Sequence, residues 1–160
     1  MVYCMSTTRV APILAFDLAP GGLIAGAAVH LAAWFKGPRW MAALGAPPPI
    51  VSSAAAGSWP ALLGKLAIAA LLIGLALSCI LVARKTAKMT VLRCALGLFA
   101  VIFFVRGLLV VPFIAARRRE WRTPVGKMIV TGDWFAAGSP VVLAIGVLIG
   151  LGLHQTRSQR

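Results

Sequence analysis

A chain of 160 residues with 61% apolar side chains is far more apolar than soluble proteins, in which about 45–50% is usual. Only 12% of its residues are charged, yet the formal net charge is +13, and the mean hydropathy is +0.95. The basic residues lie in short stretches beside long apolar runs, which is typical of a membrane protein and argues against a nucleic-acid partner. We therefore predict a single transmembrane domain over residues 1–160.

Four apolar runs are long enough to cross a bilayer as helices, which takes roughly 20 residues each. They predict an all-α fold, an integral membrane four-helix bundle. The spans are expected at about 18–35, 59–83, 91–116 and 134–153. Asp17 and Pro20 interrupt the first run, which argues against a cleaved signal peptide and places the acid near a helix N-terminus, where it is favoured.

The connection between the first two spans, residues 36–58, is expected to be a loop. Pro47, Pro48 and Pro49 favour an extended conformation, because proline cannot continue a helix. A short interfacial helix over residues 50–57 is left open. The connector between the second and third spans, residues 84–90, is short and basic.

Two stripes of small residues are suited to close helix contact. Gly22, Gly26 and His30 recur every fourth residue in the first span, and Gly146 and Gly150 do so in the fourth. Either glycine pair could pack within the bundle, against another membrane subunit or against a second copy of the chain.

Four spans place both chain ends and the basic 84–90 connector on one face of the membrane, here named side A, and the two longer loops on side B. Lys and Arg outside the spans are equally numerous on the two sides, so the positive-inside rule does not decide the orientation. The charge-free proline loop and the basic connector favour a cytoplasmic side A, with both termini.

All five tryptophans lie at or near side B. Indole rings prefer the headgroup level, so Trp34, Trp59, Trp121 and Trp134 are assigned as interfacial anchors. Because the tryptophans lie at one face of the membrane only, they are also compatible with a cavity whose mouth they line at side B.

The third span contains Arg106, the only charged residue between Cys94 and Ala116. A guanidinium at the centre of a spanning helix costs about 2.5–3.5 kcal/mol on the insertion scale. Helical side chains lean toward the helix N-terminus. Lys65 therefore leans toward side B and is predicted to be an interfacial anchor, whereas Arg106 leans away from the nearer surface and is predicted to turn inward to a partner.

Arg106, His30 and Asp133 form the predicted polar cluster of the side-B half. As a structural clasp, Arg106 would pair with Asp133 and with the Ala136 carbonyl, which Pro140 deprives of its helical donor. As a ligand site, Arg106 would hold a lipid phosphate or a substrate carboxylate instead.

No catalytic set is found. His30 has no nucleophile beside it, and Ser78 and Ser139 lack the surroundings of an activated serine. The three cysteines and two histidines form no metal or haem motif, so no metal and no cofactor is predicted.

Several short motifs resemble those of an uncharacterised family of small four-helix bacterial inner-membrane proteins, classed as a domain of unknown function. The residues are His30-Leu31-Ala32-Ala33-Trp34, the proline loop, Arg106-Gly107-Leu108-Leu109 with Pro112, Thr123-Pro124 and Ser139-Pro140. The resemblance implies four spans and a bacterial inner membrane. It implies no activity.

We expect a non-enzymatic accessory or binding protein that holds an anionic lipid or a partner subunit. The alternative is a lipid-handling enzyme or small transporter with a polar pocket around His30 and Arg106. A cavity that reaches both residues would favour the alternative.

Overall fold

The computed structural model describes residues 11–84, 89–111, 120–123, 126–129 and 133–157. Its elements are α1 (Ala11–Lys36), α2 (Pro38–Ala43), α3 (Pro48–Ala55), α4 (Trp59–Ala83), α5 (Thr90–Leu108), β1 (Glu120–Thr123), β2 (Gly126–Ile129) and α6 (Asp133–Arg157). The helices α1, α4, α5 and α6 are long and apolar enough to cross a membrane. The predicted all-α membrane four-helix bundle is confirmed. A short antiparallel hairpin of β1 and β2, which the sequence did not indicate, precedes α6.

Helix boundaries differ from expectation by four residues or more in three of the four spans, since α6 continues to Arg157 rather than ending near Leu153. The first helix begins at Ala11 rather than near Leu18, and it continues through Pro20. Its first turn contains no acidic residue, so Asp17 does not cap it. The third helix α5 ends at Leu108, and residues 112–116 of the predicted span lie outside the described residues.

The connection from α1 to α4 contains two short helices, α2 and α3, where a loop was expected with a short helix over residues 50–57 left open. The helix α3 covers most of that range. Pro48 and Pro49 form the first turn of α3, and Pro47 before them is extended, with φ −57° and ψ 144°. Amides in the first turn of a helix have no helical acceptor, so prolines are tolerated there. The triple proline therefore begins a helix instead of preventing one.

The spanning helices form two antiparallel pairs, α1 with α4 and α5 with α6, and α1 also packs against α6. Large apolar side chains fill the side-A half of the core: Phe16, Leu23, Leu75, Cys79, Leu96 and Ile149. The buried residues of the spans in the side-B half, among the described side chains, are small or polar: Ala27, Ala33, Ala61, Lys65, Ala69, Gly107 and Ser139. The polar residues of the bundle are thus concentrated toward side B.

Three of the four stripe glycines lie against neighbouring helices of the same chain. A Cβ on Gly22 would lie 3.0 Å from the Ile145 side chain of α6, and one on Gly26 would lie 3.5 Å from Leu72 of α4. Gly146 lies against the backbone of α5, whereas Gly150 has no neighbour within 4 Å. Association with a second chain through these stripes stays a prediction.

Candidate functional site

His30 and Lys65 lie at matching depths on the antiparallel helices α1 and α4. Lys36, the last residue of α1, is six residues after His30, and Lys65 is six residues after Trp59, the first residue of α4. Six residues correspond to about 9 Å of helix. Because α1 packs against α4 and the two helices are antiparallel, the two residues lie at the same level of this helix pair.

The Lys65 side chain is buried, with 5% of the residue exposed. Its assignment as an interfacial anchor stays a prediction. Ala61 and Ala69, one turn to either side on the same face of α4, are buried at 0% and 3% exposure. These small neighbours leave space for a long side chain between the helices.

Within the described part of the chain, neither His30 nor Lys65 makes a hydrogen bond or an ion pair. The His30 Nδ1 atom is fully buried, although the ring as a whole is partly exposed. Buried polar atoms normally have a hydrogen-bond partner, and a missing one commonly marks a place for water, an ion or a ligand. The α1–α4 interface therefore contains an ammonium and an imidazole whose hydrogen-bonding capacity is available.

Arg106 lies at the α5–α6 interface and is partly buried. Its Nη1 atom donates a hydrogen bond to Ser139 Oγ at 3.4 Å, and Ser139 is 1% exposed. The bond joins the third span to the fourth, as the clasp interpretation expects, but through a serine that sequence reasoning did not assign as a partner. The side chain of Asp133 lies outside the described side chains, so an Arg106–Asp133 pair stays a prediction.

The backbones of α5 and α6 approach closely beside this hydrogen bond. A Cβ on Gly107, the residue after Arg106, would lie 2.9 Å from Leu143 Cα. Because glycine has no side chain, the two helices can pack at this short distance. The close approach brings Arg106 within reach of the buried Ser139 hydroxyl.

The two polar pairs lie at about the same depth. Gly22 faces Ile145 on the antiparallel helix α6, so His30, two turns further along α1, is level with Ser139 to within about one turn. His30, Lys65, Arg106 and Ser139 thus form a polar layer with one residue from each spanning helix. The structure does not join His30 to Arg106 by a hydrogen bond within the described residues.

A second arginine, Arg93, joins the same two helices near side A. Its Nη2 atom donates to the Leu153 carbonyl at 3.1 Å and to Thr156 Oγ1 at 2.9 Å. Sequence reasoning counted Arg93 with the surface charges of the connector. One sequence feature could have indicated this contact. Arg93 lies in the first turn of the third span, opposite the only threonine near the end of the fourth span.

The tryptophans at side B differ in exposure. Trp59 and Trp134 are 70% and 59% exposed, whereas Trp34 is partly buried. Trp40 of α2 stacks on Trp134 of α6, with ring centroids 6.2 Å apart, and Lys36 Nζ lies 5.9 Å from the Trp40 ring centroid. The side chain of Trp121 is outside the described side chains. The aromatic residues therefore connect the α1–α4 connection to α6.

Four apolar helices with polar residues at their interfaces define a multi-pass α-helical membrane protein. No family model, curated protein or solved structure matches the chain. The resemblance to small four-helix bacterial proteins stays a prediction.

Proposed function

We propose that the protein is a non-enzymatic accessory or binding protein that holds an anionic lipid headgroup in its side-B half. Arg106 is the principal residue that binds the headgroup. The observation that supports this proposal is the partly buried guanidinium at the α5–α6 interface, with a long 3.4 Å hydrogen bond to Ser139. A guanidinium has five N–H donors in a planar fork that matches phosphate oxygens. It can bind the serine and a phosphate together.

The charge of this half supports an anionic ligand. By sequence, cations outnumber acids in this half: Lys36, Lys65 and Arg106 belong to it together with the basic residues of the second loop, against Glu120 and Asp133. Charged groups inside a membrane normally bind opposite charges or line functional sites. An anion drawn in by Arg106 would also be attracted by Lys65, which lies in the same polar layer.

The alternative, a lipid-handling enzyme or small transporter, requires a cavity that connects His30 with Arg106. One cavity of about 270 Å³, between α1 and α4, opens at side A and is lined by neither residue. This cavity lends the alternative no support.

Native mass spectrometry of the gently extracted protein tests this proposal. We expect the wild type to retain phosphatidylglycerol or cardiolipin in preference to phosphatidylcholine, and Arg106→Gln to bind them at least tenfold more weakly. The expectation follows because a hydrogen bond to a charged group contributes about 1.5–3 kcal/mol, and 1.4 kcal/mol is a factor of ten.

Arg39→Gln is the matched control, since Arg39 is an exposed cation at the same end of the molecule. It should retain the lipids. Equal retention by Arg106→Gln, in protein whose helical content is unchanged, would remove Arg106 from the site, and a wild type indifferent to lipid charge would refute the proposal.

We further propose that the protein resides in a bacterial inner membrane with both termini in the cytoplasm. The compact basic connector after α4 and the proline-rich connection before it support this orientation. Reporter fusions at Ala46 and after Arg160 should give opposite signals, with the cytoplasmic one at the C-terminus. Equal cytoplasmic signals from both fusions would contradict the four-span topology, and a reversed pair would contradict the orientation.

A further inference from the structure

A second candidate ligand site lies at the opposite end of the bundle, between the first half of α1 and the end of α4. It is a cavity of about 270 Å³ that is open to the surface at side A. Its lining consists of Phe16, Asp17, Pro20, Ile80, Ala83 and Arg84. Four of these residues are apolar and two carry opposite charges.

The two charges share the cavity without pairing with each other. Asp17 and Arg84 are both exposed, and within the described part of the chain neither side chain makes a hydrogen bond or an ion pair. A ligand that carries a cation and an anion on one short group is complementary to this arrangement.

The cavity lies at the side-A end of the bundle and extends into the first turns of α1. Arg84 directly follows α4, whereas Asp17 is six residues, about 9 Å, after Ala11, the first residue of α1. Phe16, Pro20, Ile80 and Ala83 supply the apolar part of the lining. A molecule bound here would be polar at one end and apolar at the other.

We infer that this cavity binds the headgroup of a zwitterionic lipid with a primary ammonium, a phosphoethanolamine group. The ammonium donates hydrogen bonds to the Asp17 carboxylate, and the Arg84 guanidinium donates to the phosphate oxygens. Ligand pockets for drug-sized molecules measure about 300–1,000 Å³. The cavity is slightly smaller, which suits a headgroup whose acyl chains lie outside along α1 and α4.

Two related headgroups fit less well. A trimethylammonium group has no N–H to donate to Asp17 and is usually bound by several aromatic rings, whereas this lining contains one, Phe16, which is 1% exposed. A purely anionic headgroup would meet the Asp17 carboxylate and be repelled by it. The site is thus distinct in chemistry from the anionic site proposed at Arg106.

Competition between lipids in native mass spectra of the full chain tests the inference. With phosphatidylethanolamine, phosphatidylcholine and phosphatidylglycerol supplied in equal amounts, we expect one bound phosphatidylethanolamine with at least a tenfold preference over phosphatidylcholine. Asp17→Asn should abolish this preference while it leaves phosphatidylglycerol binding at Arg106 unchanged. Arg84→Gln should weaken the binding of both zwitterionic lipids to the same extent, and Arg39→Gln should alter neither.

Both side chains are exposed, so these variants should fold, and circular dichroism verifies it. An equal affinity of the wild type for the two zwitterionic lipids would overturn the inference, as would an Asp17→Asn variant that keeps the preference. Soluble glycerophosphoethanolamine distinguishes the source of the headgroup. It should compete at least a hundredfold more weakly than the lipid, and equal competition would overturn the assignment to a lipid.

Discussion

Replacing Gly146 with alanine should lower the free energy of unfolding by about 1–3 kcal/mol, which is the usual cost of overpacking a well-packed contact. The new Cβ would lie 2.9 Å from the Ala100 carbonyl oxygen and 3.0 Å from the Phe104 amide nitrogen. Both atoms belong to the backbone of α5, so they cannot turn aside as a flexible side chain could. The helices α5 and α6 would have to separate, which would also lengthen the hydrogen bond between Arg106 and Ser139.

Gly150→Ala is the matched control, because Gly150 lies one turn further along the same helix and has no neighbour within 4 Å. It should leave stability unchanged or raise it by up to about 1 kcal/mol, since alanine favours the helix over glycine by about that amount. Unfolding in mild detergent, followed by circular dichroism, measures both variants. Equal effects would contradict the close approach of α5 and α6 at Gly146.

Replacing Lys65 with methionine should raise the free energy of unfolding by about 1–3 kcal/mol in detergent without anionic lipid. Lys65 is 5% exposed, and within the described residues its ammonium has no hydrogen bond or ion pair. Methionine keeps most of the apolar stem and removes a charge that is costly to bury, and replacing buried charges with apolar groups of similar volume often stabilises by about 1–4 kcal/mol.

The control is Arg39→Met, which removes an exposed cation at the same end and should change stability by no more than about 0.5 kcal/mol. The same unfolding measurement, repeated with phosphatidylglycerol, extends the test. Added anionic lipid should stabilise the wild type more than Lys65→Met, because only the wild type presents the second cation to the ligand. A loss of stability in Lys65→Met without lipid would show that the ammonium already has a favourable partner.

Arg106 and Lys65 show what can and cannot be predicted from the direction of a helical side chain. The lean of a helical side chain toward the helix N-terminus indicated an inward Arg106, and the structure has it bonded to the fourth span. The same argument assigned Lys65 as an interfacial anchor, but it did not indicate that the residue lies on a buried face of α4, where it is 5% exposed. The position of a residue along its span, and the direction in which its side chain leans, specify where the side chain lies along the membrane normal. They do not specify which face of the helix meets another helix.

The four spans and the predominance of helix are predictable from the apolar pattern of the chain alone. In a bilayer each backbone polar group must be satisfied within its own segment, so an uncharged run of about 20 residues forms a helix whatever its neighbours are. The polar character of the side-B half also follows from the positions of His30, Lys65 and Arg106 along these runs.

Which helices pair, and which polar side chains meet, follows from the packing of the folded bundle. Lipid chains are as apolar as leucine, so the faces of a spanning helix are not distinguished by hydrophobicity, and small residues and hydrogen bonds select the partners instead. For this reason the contacts of Arg106 with Ser139 and of Arg93 with Thr156 could not be derived from the apolar pattern. They depend on how closely glycine allows the backbones of α5 and α6 to approach.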